Sequence, residues 1–470
     1  MNRLYLVLLF LVSCSSIPNR PDGLGLEPLN FQIPKVESWK MKNGIEVFFY
    51  KNDELPLVQG KMYFKGGSLV GDRGVVGLAE ATGEQMRAGG VVGIKTESFD
   101  KELDSLAASI ESDFSEEFGH VSFFSLKEDF NRVFELFSKV IKQPAFANDK
   151  LELWKSLAHE AIGRRKEQPN VMGKMAFAQL LFGKDSPYSS SISEQSLKLI
   201  NQAAIRKFHQ EFVNPNHAYL SVTGSIAKED LQKALEENFG SWTMADTKLP
   251  ELPKVSNQIR PGIYVLEGDF DQASISIGHR GPPRHTADQY AIKIFNQSFG
   301  DSGFSSILTK KIRTDMGLAY AVSGGLFSGA VEGIFQVQLG TRVDQSLKAV
   351  KAVLDITREV REQAPVEFES AKSSTEKSFV FKFDDQDFIP ERQVLLRLYG
   401  YSANYDTDYL KQIKAVTKDQ VRGVAKNRIN PEQLCVVIVG RISADAVRKE
   451  FAGKYNVYRL DFDTEPKFRE

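Results

Sequence analysis

Residues 200–226 read INQAAIRKFHQEFVNPNHAYLSVTGSI, and residues 416–442 read VTKDQVRGVAKNRINPEQLCVVIVGRI. The two stretches align without a gap at an offset of 216 residues, and Arg206/Arg422, Asn214/Asn430, Pro215/Pro431, Gly224/Gly440 and Ile226/Ile442 are identical. Both carry a helical run, an Asn-Pro turn that ends it, and an apolar strand closed by Gly. The turn follows because Pro has no amide hydrogen to donate and disfavours helix in the residue before it. A period this long exceeds that of any solenoid repeat, so the chain is a duplication into two homologous domains.

Working outward, each half mixes the two hydrophobic periods. Residues 44–51 and 57–64 read as strands, whereas Phe130, Val133, Phe134, Phe137, Val140 and Ile141 recur at helical spacing. A second helix is predicted from a cap at Asn148 to about residue 167, after Pro144. In the second half Ala291, Ile292, Phe295 and Phe299 mark one helix. Leu347, Val350, Val353, Leu354 and Val360 mark another after a cap at Asp344, and residues 333–339 alternate as a strand. Strands, then helices, then a closing strand predict an α+β fold of two homologous domains, each a largely antiparallel sheet covered by helices. The boundaries are 31–246 for the first domain, 247–258 for a linker holding Pro250 and Pro253, and 259–465 for the second.

The chain has 470 residues, 42% of them hydrophobic, and its 33 Phe foretell an aromatic core. Its 60 Lys and Arg balance 61 Asp and Glu, which leaves no electropositive footprint for a phosphate backbone and excludes nucleic acid as a partner. Mean hydropathy of −0.28 excludes a polytopic membrane protein.

At the N-terminus Arg3 precedes an apolar run over 4–12, too short to span a bilayer but of signal-peptide length. Leu11-Val12-Ser13-Cys14 resembles a bacterial lipobox, which makes 1–13 a lipoprotein signal and Cys14 the lipidated first residue of the mature chain. The alternatives are an ordinary secretory signal or an uncleaved anchor. Ser15 stands where Asp usually signals inner-membrane retention, so the resemblance implies the outer membrane, facing the periplasm. Residues 14–30, with Pro18, Pro21, Gly23, Gly25 and Pro28, read as a tether. Once Cys14 is acylated, Cys435 has no partner for an intramolecular disulfide.

Two motifs carry a family resemblance. Gly77-Leu78-Ala79, after Gly66 and Gly67 and before a helical run ending at Gly89-Gly90, is similar to the motif of the insulinase or pitrilysin-like zinc metallopeptidases. There GLA is followed by His-x-x-Glu-His, two His on one helical face holding zinc and a Glu activating water. Here Glu80, Gly83 and Glu84 replace those three residues; a one-residue slide puts Ala81 and Gln85 at the His positions instead. Neither register has an imidazole. Glu160, 76 residues beyond Glu84, matches the family's third ligand. Glu80, Glu84 and Glu160 therefore occupy ligand positions, where solvated glutamates are the plain alternative to a Ca²⁺ or Mg²⁺ site. His159 is one helical step away from Glu160 and points elsewhere.

The second motif starts Gly300-Asp301-Ser302-Gly303-Phe304-Ser305-Ser306, reaches Arg313, and ends Gly317-Leu318-Ala319-Tyr320. It resembles the family's GG-x-SSRL and R-x-x-x-GLAY segment. There an Arg and a Tyr seven residues apart reach the bound peptide from the domain without zinc. The resemblance implies the same role for Arg313 and Tyr320, as donors to a carbonyl or oxyanion. Their alternative is structural, with Arg313 on helix-end carbonyls and Tyr320 packed in a strand.

Other signals carry no chemistry. Ile94 spoils a phosphate loop over residues 89–96, and Ser374-Thr375-Glu376-Lys377 lacks the companion motifs of a Ser-x-x-Lys enzyme. His120, His209, His217, His279 and His285 form no ligand cluster in sequence. Non-zinc members of the family pair with zinc-bearing ones, as the mitochondrial processing peptidase α subunit does. The resemblance therefore implies a lipid-anchored, catalytically silent envelope protein without its family zinc. It would bind unfolded peptide as half of a heterodimer with a homologue bearing His-x-x-Glu-His. Two other classes stay open: a structural scaffold like the respiratory-complex core proteins, and an active metallopeptidase with an unusual metal.

Overall fold

The computed structural model describes residues 31–244, 248–255, 258–363 and 367–468. The signal, the tether and Cys14 lie outside them, as do parts of the linker. Among the described residues thirteen strands form two sheets. The first holds β1 (Glu37–Lys40), β2 (Glu46–Lys51), β3 (Leu57–Lys65), β4 (Ser109–Phe114), β5 (Phe118–Leu126) and β6 (Ala218–Gly224), in the order β1-β2-β6-β3-β5-β4. The second holds β7 (Gly262–Glu267), β8 (Gln272–Gly281), β9 (Val322–Phe327), β10 (Gly333–Arg342), β11 (Cys435–Gly440), β12 (Val457–Phe462) and β13 (Pro466–Phe468), in the order β13-β12-β7-β11-β8-β10-β9. Antiparallel pairings dominate. β6 runs parallel to β2, and β7 runs parallel to β11 and β12. Helices cover the sheets, so the α+β class and the paired architecture are as expected.

The duplicated stretches form the middle of each sheet. Helices Gln202–Phe212 and Lys418–Arg428 keep the 216-residue offset, and β6 and β11 follow them. Between helix and strand Asn214 and Asn430 cap short 3₁₀ turns, their side chains accepting from the amides of Asn216 and Glu432 at 3.2 Å. Gly224 is needed for space and backbone angle alike. Its φ is +139°, and a Cβ there would stand 2.2 Å from the Leu57 carbonyl oxygen.

Aromatic packing fills the first core, where Phe123 meets Phe134 and Phe137 of the Phe130–Lys142 helix at 5.4 and 4.9 Å. The predicted helices are present with shifted starts. Ala147, not Asn148, stands at the cap of Asn148–Arg164, and a 3₁₀ turn, Val343–Gln345, takes up Asp344 before Ser346–Glu362 begins. Tightened first turns move such boundaries by a residue or two.

Both halves belong to one unit, Pro34–Glu470, and they exchange helices. Helix Pro169–Phe182, from the first half, lays Met172, Ala176, Phe177 and Leu181 on Tyr264, Leu266, Val437 and Val439 of the second sheet. Its repeat partner, Phe388–Leu398, lays Val394 and Leu398 on Phe48 and Tyr63 of the first sheet. The C-terminal ends of these helices are again 216 residues apart. Arg284 of the second half also grips Glu117 of the first, with Nη1 donating to Oε2 at 2.9 Å. Among the described residues no helix is long and apolar enough to cross a membrane.

Candidate functional site

The GLA motif opens helix Leu78–Ala88. Asp72, buried, accepts from the Gly77 and Ala79 amides at 2.8 Å each and so caps its first turn. Those two donors hold the Asp72 carboxyl against burial, which still pushes it upward. Asp72 escaped the sequence analysis; a carboxylate just upstream of a helix start was the available signal.

The helix presents Glu80 and Glu84 to solvent and turns Ala81, Thr82, Gly83, Gln85 and Met86 inward. Ala81 and Gln85 are 0% and 1% exposed, so the slid register would place its zinc ligands in the core. The ungapped register is therefore the one that faces outward. At the base position, a Cβ on Gly83 would lie 2.4 Å from the Phe114 amide nitrogen of β4, and Ser112 of that strand donates to the Gly83 carbonyl at 2.6 Å. This close seat of helix on strand has no room for a side chain at 83.

Glu80 and Glu84 share their surroundings with Glu111 and Asp113, which alternate outward along β4. Both carboxyls are pushed upward. For Glu80 the leading cause is partial desolvation, followed by the negative charges of Asp113, Asp72 and Glu84, with Arg165 opposing; for Glu84 it is desolvation, then Glu111 and Asp113. Glu160 is exposed and accepts from Arg164 at 2.8 Å, while His159 lies 2.7 Å from Glu194. Among the described residues no group of three His, Cys, Asp or Glu side chains has the geometry to hold a metal ion. A catalytic zinc site takes three protein ligands, His among them, and two outward glutamates with no imidazole beside them among the described residues and an arginine-paired Glu160 do not fit it.

The other constellation does assemble. A π-helix, Thr309–Asp315, carries Arg313 near its end. The chain then reverses through Gly317, with the Leu318 amide donating to the Ile312 carbonyl at 2.9 Å. This brings Arg313 Cζ to 5.0 Å from the centre of the Tyr320 ring. Tyr320 is 85% exposed, so it is not a packed strand residue. It stands just before β9, the edge strand, and its neighbour Ala321 lines a cavity of about 510 Å³ shared by β8, β10 and Lys174 of the exchanged helix. A guanidinium with a phenol hydroxyl beside an open strand edge is suited to donating hydrogen bonds to a peptide backbone.

Comparison with known proteins matches residues 200–375 to the family described as peptidase M16 inactive domain. That span holds Arg313 and Tyr320 but not Glu80 to Glu84. An uncharacterized zinc protease of Mycobacterium tuberculosis is 24% identical over 312 residues, covering 65% of this chain and 70% of the relative. The non-peptidase homolog YmxG of Helicobacter pylori is 22% identical over 413 residues, covering 85% and 93%. The crystal structure of a peptidase M16 inactive domain from Pseudomonas fluorescens superposes with a TM-score of 0.79 at 21% identity, covering 87% of this chain and 98% of that one. The expected insulinase-type resemblance is thus met: residues 200–375 match that family's inactive domain, and the two-domain α+β fold is similar to that of a solved one.

Proposed function

We propose that this chain is a catalytically silent member of its family, held through lipidated Cys14 on the periplasmic side of a bacterial outer membrane. It captures extended peptide and completes the cleft of a homologue that bears His-x-x-Glu-His. The observation that carries the reading is the backbone contact at Gly83, which excludes a general base where hydrolysis would need one. Support for peptide capture comes from the Arg313 and Tyr320 pair and from the outer edges of β4 and β9, each strand pairing on one side alone among the described residues. An edge strand offers main-chain hydrogen bonds without asking for a particular sequence.

The deciding experiment extracts the protein from its native membrane in mild detergent and identifies stoichiometric companions by mass spectrometry. A companion with His-x-x-Glu-His supports the reading; its absence favours a scaffold. In the pair, Arg313→Ala and Tyr320→Phe lower turnover and leave assembly intact, and unchanged kinetics in both removes their role. Cleavage by the isolated chain that chelator and Glu80→Gln both abolish would overturn the silence. Cys14→Ser releases the protein from the membrane fraction if the anchor is as proposed.

A further inference from the structure

The helical layer of the second half gathers more positive than negative charge. Lys293 lies on helix Gln289–Asn296, Lys382 in the 3₁₀ turn Val380–Phe383, and Arg392 on the exchanged helix Phe388–Leu398. Asp406, 2% exposed, is committed to Arg392 through two bonds of 2.9 and 2.5 Å. Lys293 and Lys382 have no ion pair among the described residues. Their ammonium nitrogens stand 5.9 and 5.6 Å from the centre of one ring, that of Tyr409. Phe379 stacks on that ring at 4.4 Å, and Tyr290 and Tyr405 flank it at 6.0 and 6.1 Å.

Two half-buried ammoniums on one ring repel each other, and a cation–π contact offsets only part of the cost of drawing them out of water. Lys293, Lys382 and Arg392 are each partly exposed as residues rather than fully buried. A monoanion would leave one ammonium uncompensated, whereas a dianion balances both. The hydroxyls of Tyr290, Tyr405 and Tyr409, which burial keeps protonated, are donors for an anion rich in oxygens.

We propose that Lys293 and Lys382 at the ring of Tyr409, with Arg392 over the Phe379 ring stacked on it, form a binding site for a phosphate group, free in solution or carried on a lipid headgroup. Phe381, 73% exposed beside Lys382, supplies an apolar neighbour for the lipid-borne form. Burial, then the charges of Lys293 and Arg392, hold the Lys382 ammonium down to about 8 against the pull of Asp406. Around it stand Lys293, Arg392, Asp406 and Tyr409, with Asp301 acting on Lys293. A bound dianion reverses that depression, so near pH 8 the site takes up a proton as it fills.

The test titrates inorganic phosphate into the full chain by calorimetry at pH 8 in two buffers of different ionisation heat. A second arm compares flotation with phosphatidylcholine vesicles with and without phosphatidic acid, to which the anchor contributes equally. Saturable phosphate binding, or binding that requires phosphatidic acid, is expected in the unaltered protein and is lost at least tenfold in Lys293→Met and in Lys382→Met. Lys382→Arg keeps the charge and the affinity but loses the extra proton uptake, which keeps the test open if a Met variant fails to fold. Binding of neither probe, binding unchanged in Lys382→Met, or proton uptake undiminished in Lys382→Arg would each overturn the site.

Discussion

Where the 169–182 helix rests on the second sheet the contact is hydrocarbon; where its repeat partner 388–398 rests on the first, half of the contact is titratable. Met172, Phe177 and Leu181 meet Tyr264, Val437 and Val439 in the one. In the other, Val394 and Leu398 meet Phe48 and Tyr63, but Glu391 also takes Lys61 at 2.9 and 3.1 Å and the hydroxyl of Tyr63. The register extends this polarity. Lys61 opposes Ser122, which opposes Glu111, and Tyr63 opposes His120, which opposes Asp113, so one face of the first sheet carries ionisable groups out to the cluster at Glu80 and Glu84. The matching row on the second sheet is Val437, Ser276, Gln338 and Ser323, all neutral. Duplication thus preserved the topology while the two sheet faces took different chemistry, and along these matching rows only the first sheet carries groups that pH can charge.

Removing hydrocarbon from the second interface is the largest perturbation. Phe177→Ala, at a position 3% exposed, is expected to lose about 3–5 kcal/mol in chemical denaturation. A loss below about 1 kcal/mol would mean that burial does not hold that helix. Glu391→Ala breaks the polar counterpart and should cost less, about 1–2 kcal/mol, because the Lys61 side chain is 39% exposed and water screens the pair. Parity between the two variants would erase the distinction drawn above.

The next two effects are smaller and have opposite signs with pH. Burial, aided by Lys61, holds the His120 imidazole below its ordinary 6.5, with Asp113 and Glu391 opposing. Its neutral form is the one the fold prefers. The stability it contributes is complete above pH 6.5 and is lost as pH falls through the lowered value. His120→Phe should therefore flatten the acid side of a plot of melting temperature against pH, and an unaltered slope would remove the assignment. Glu80 and Glu84 run the other way. Their raised carboxyls favour protonation in the fold, so they cost stability once ionised and the cost fades as pH falls through the carboxylate range. Glu80→Gln should raise stability at pH 7 by roughly a few tenths of a kcal/mol, since both side chains reach solvent, and the gain should vanish on acidification. A loss at pH 7 instead would point to a stabilising partner for Glu80.

Much of the fold could be read from periodicity, because Phe130 to Ile141 repeats at 3.6 and residues 333–339 alternate at 2, and each period names the face that must be buried. The Arg313 and Tyr320 pair was legible only through the family resemblance, whose motif sets an Arg and a Tyr seven residues apart. Its contact needed the reversal at Gly317, which spacing does not specify. The acidic surroundings of Glu80 were not legible, since Glu111 and Asp113 join it only through the packing of helix on β4.

From the sequence alone come the duplication, the α+β class and the loss of imidazole at Glu80 and Glu84, because identities, periods and residue types are local properties. Tertiary structure decided what depends on which surfaces meet. It put Gly83 against the β4 backbone, where no side chain fits, and it sent each exchanged helix to the other half's sheet. It also collected Lys293 and Lys382 on one tyrosine ring, with Arg392 over the Phe379 ring stacked on it. Those outcomes arise between residues far apart in the chain, whose approach is set by burial of the two cores and written in no single segment.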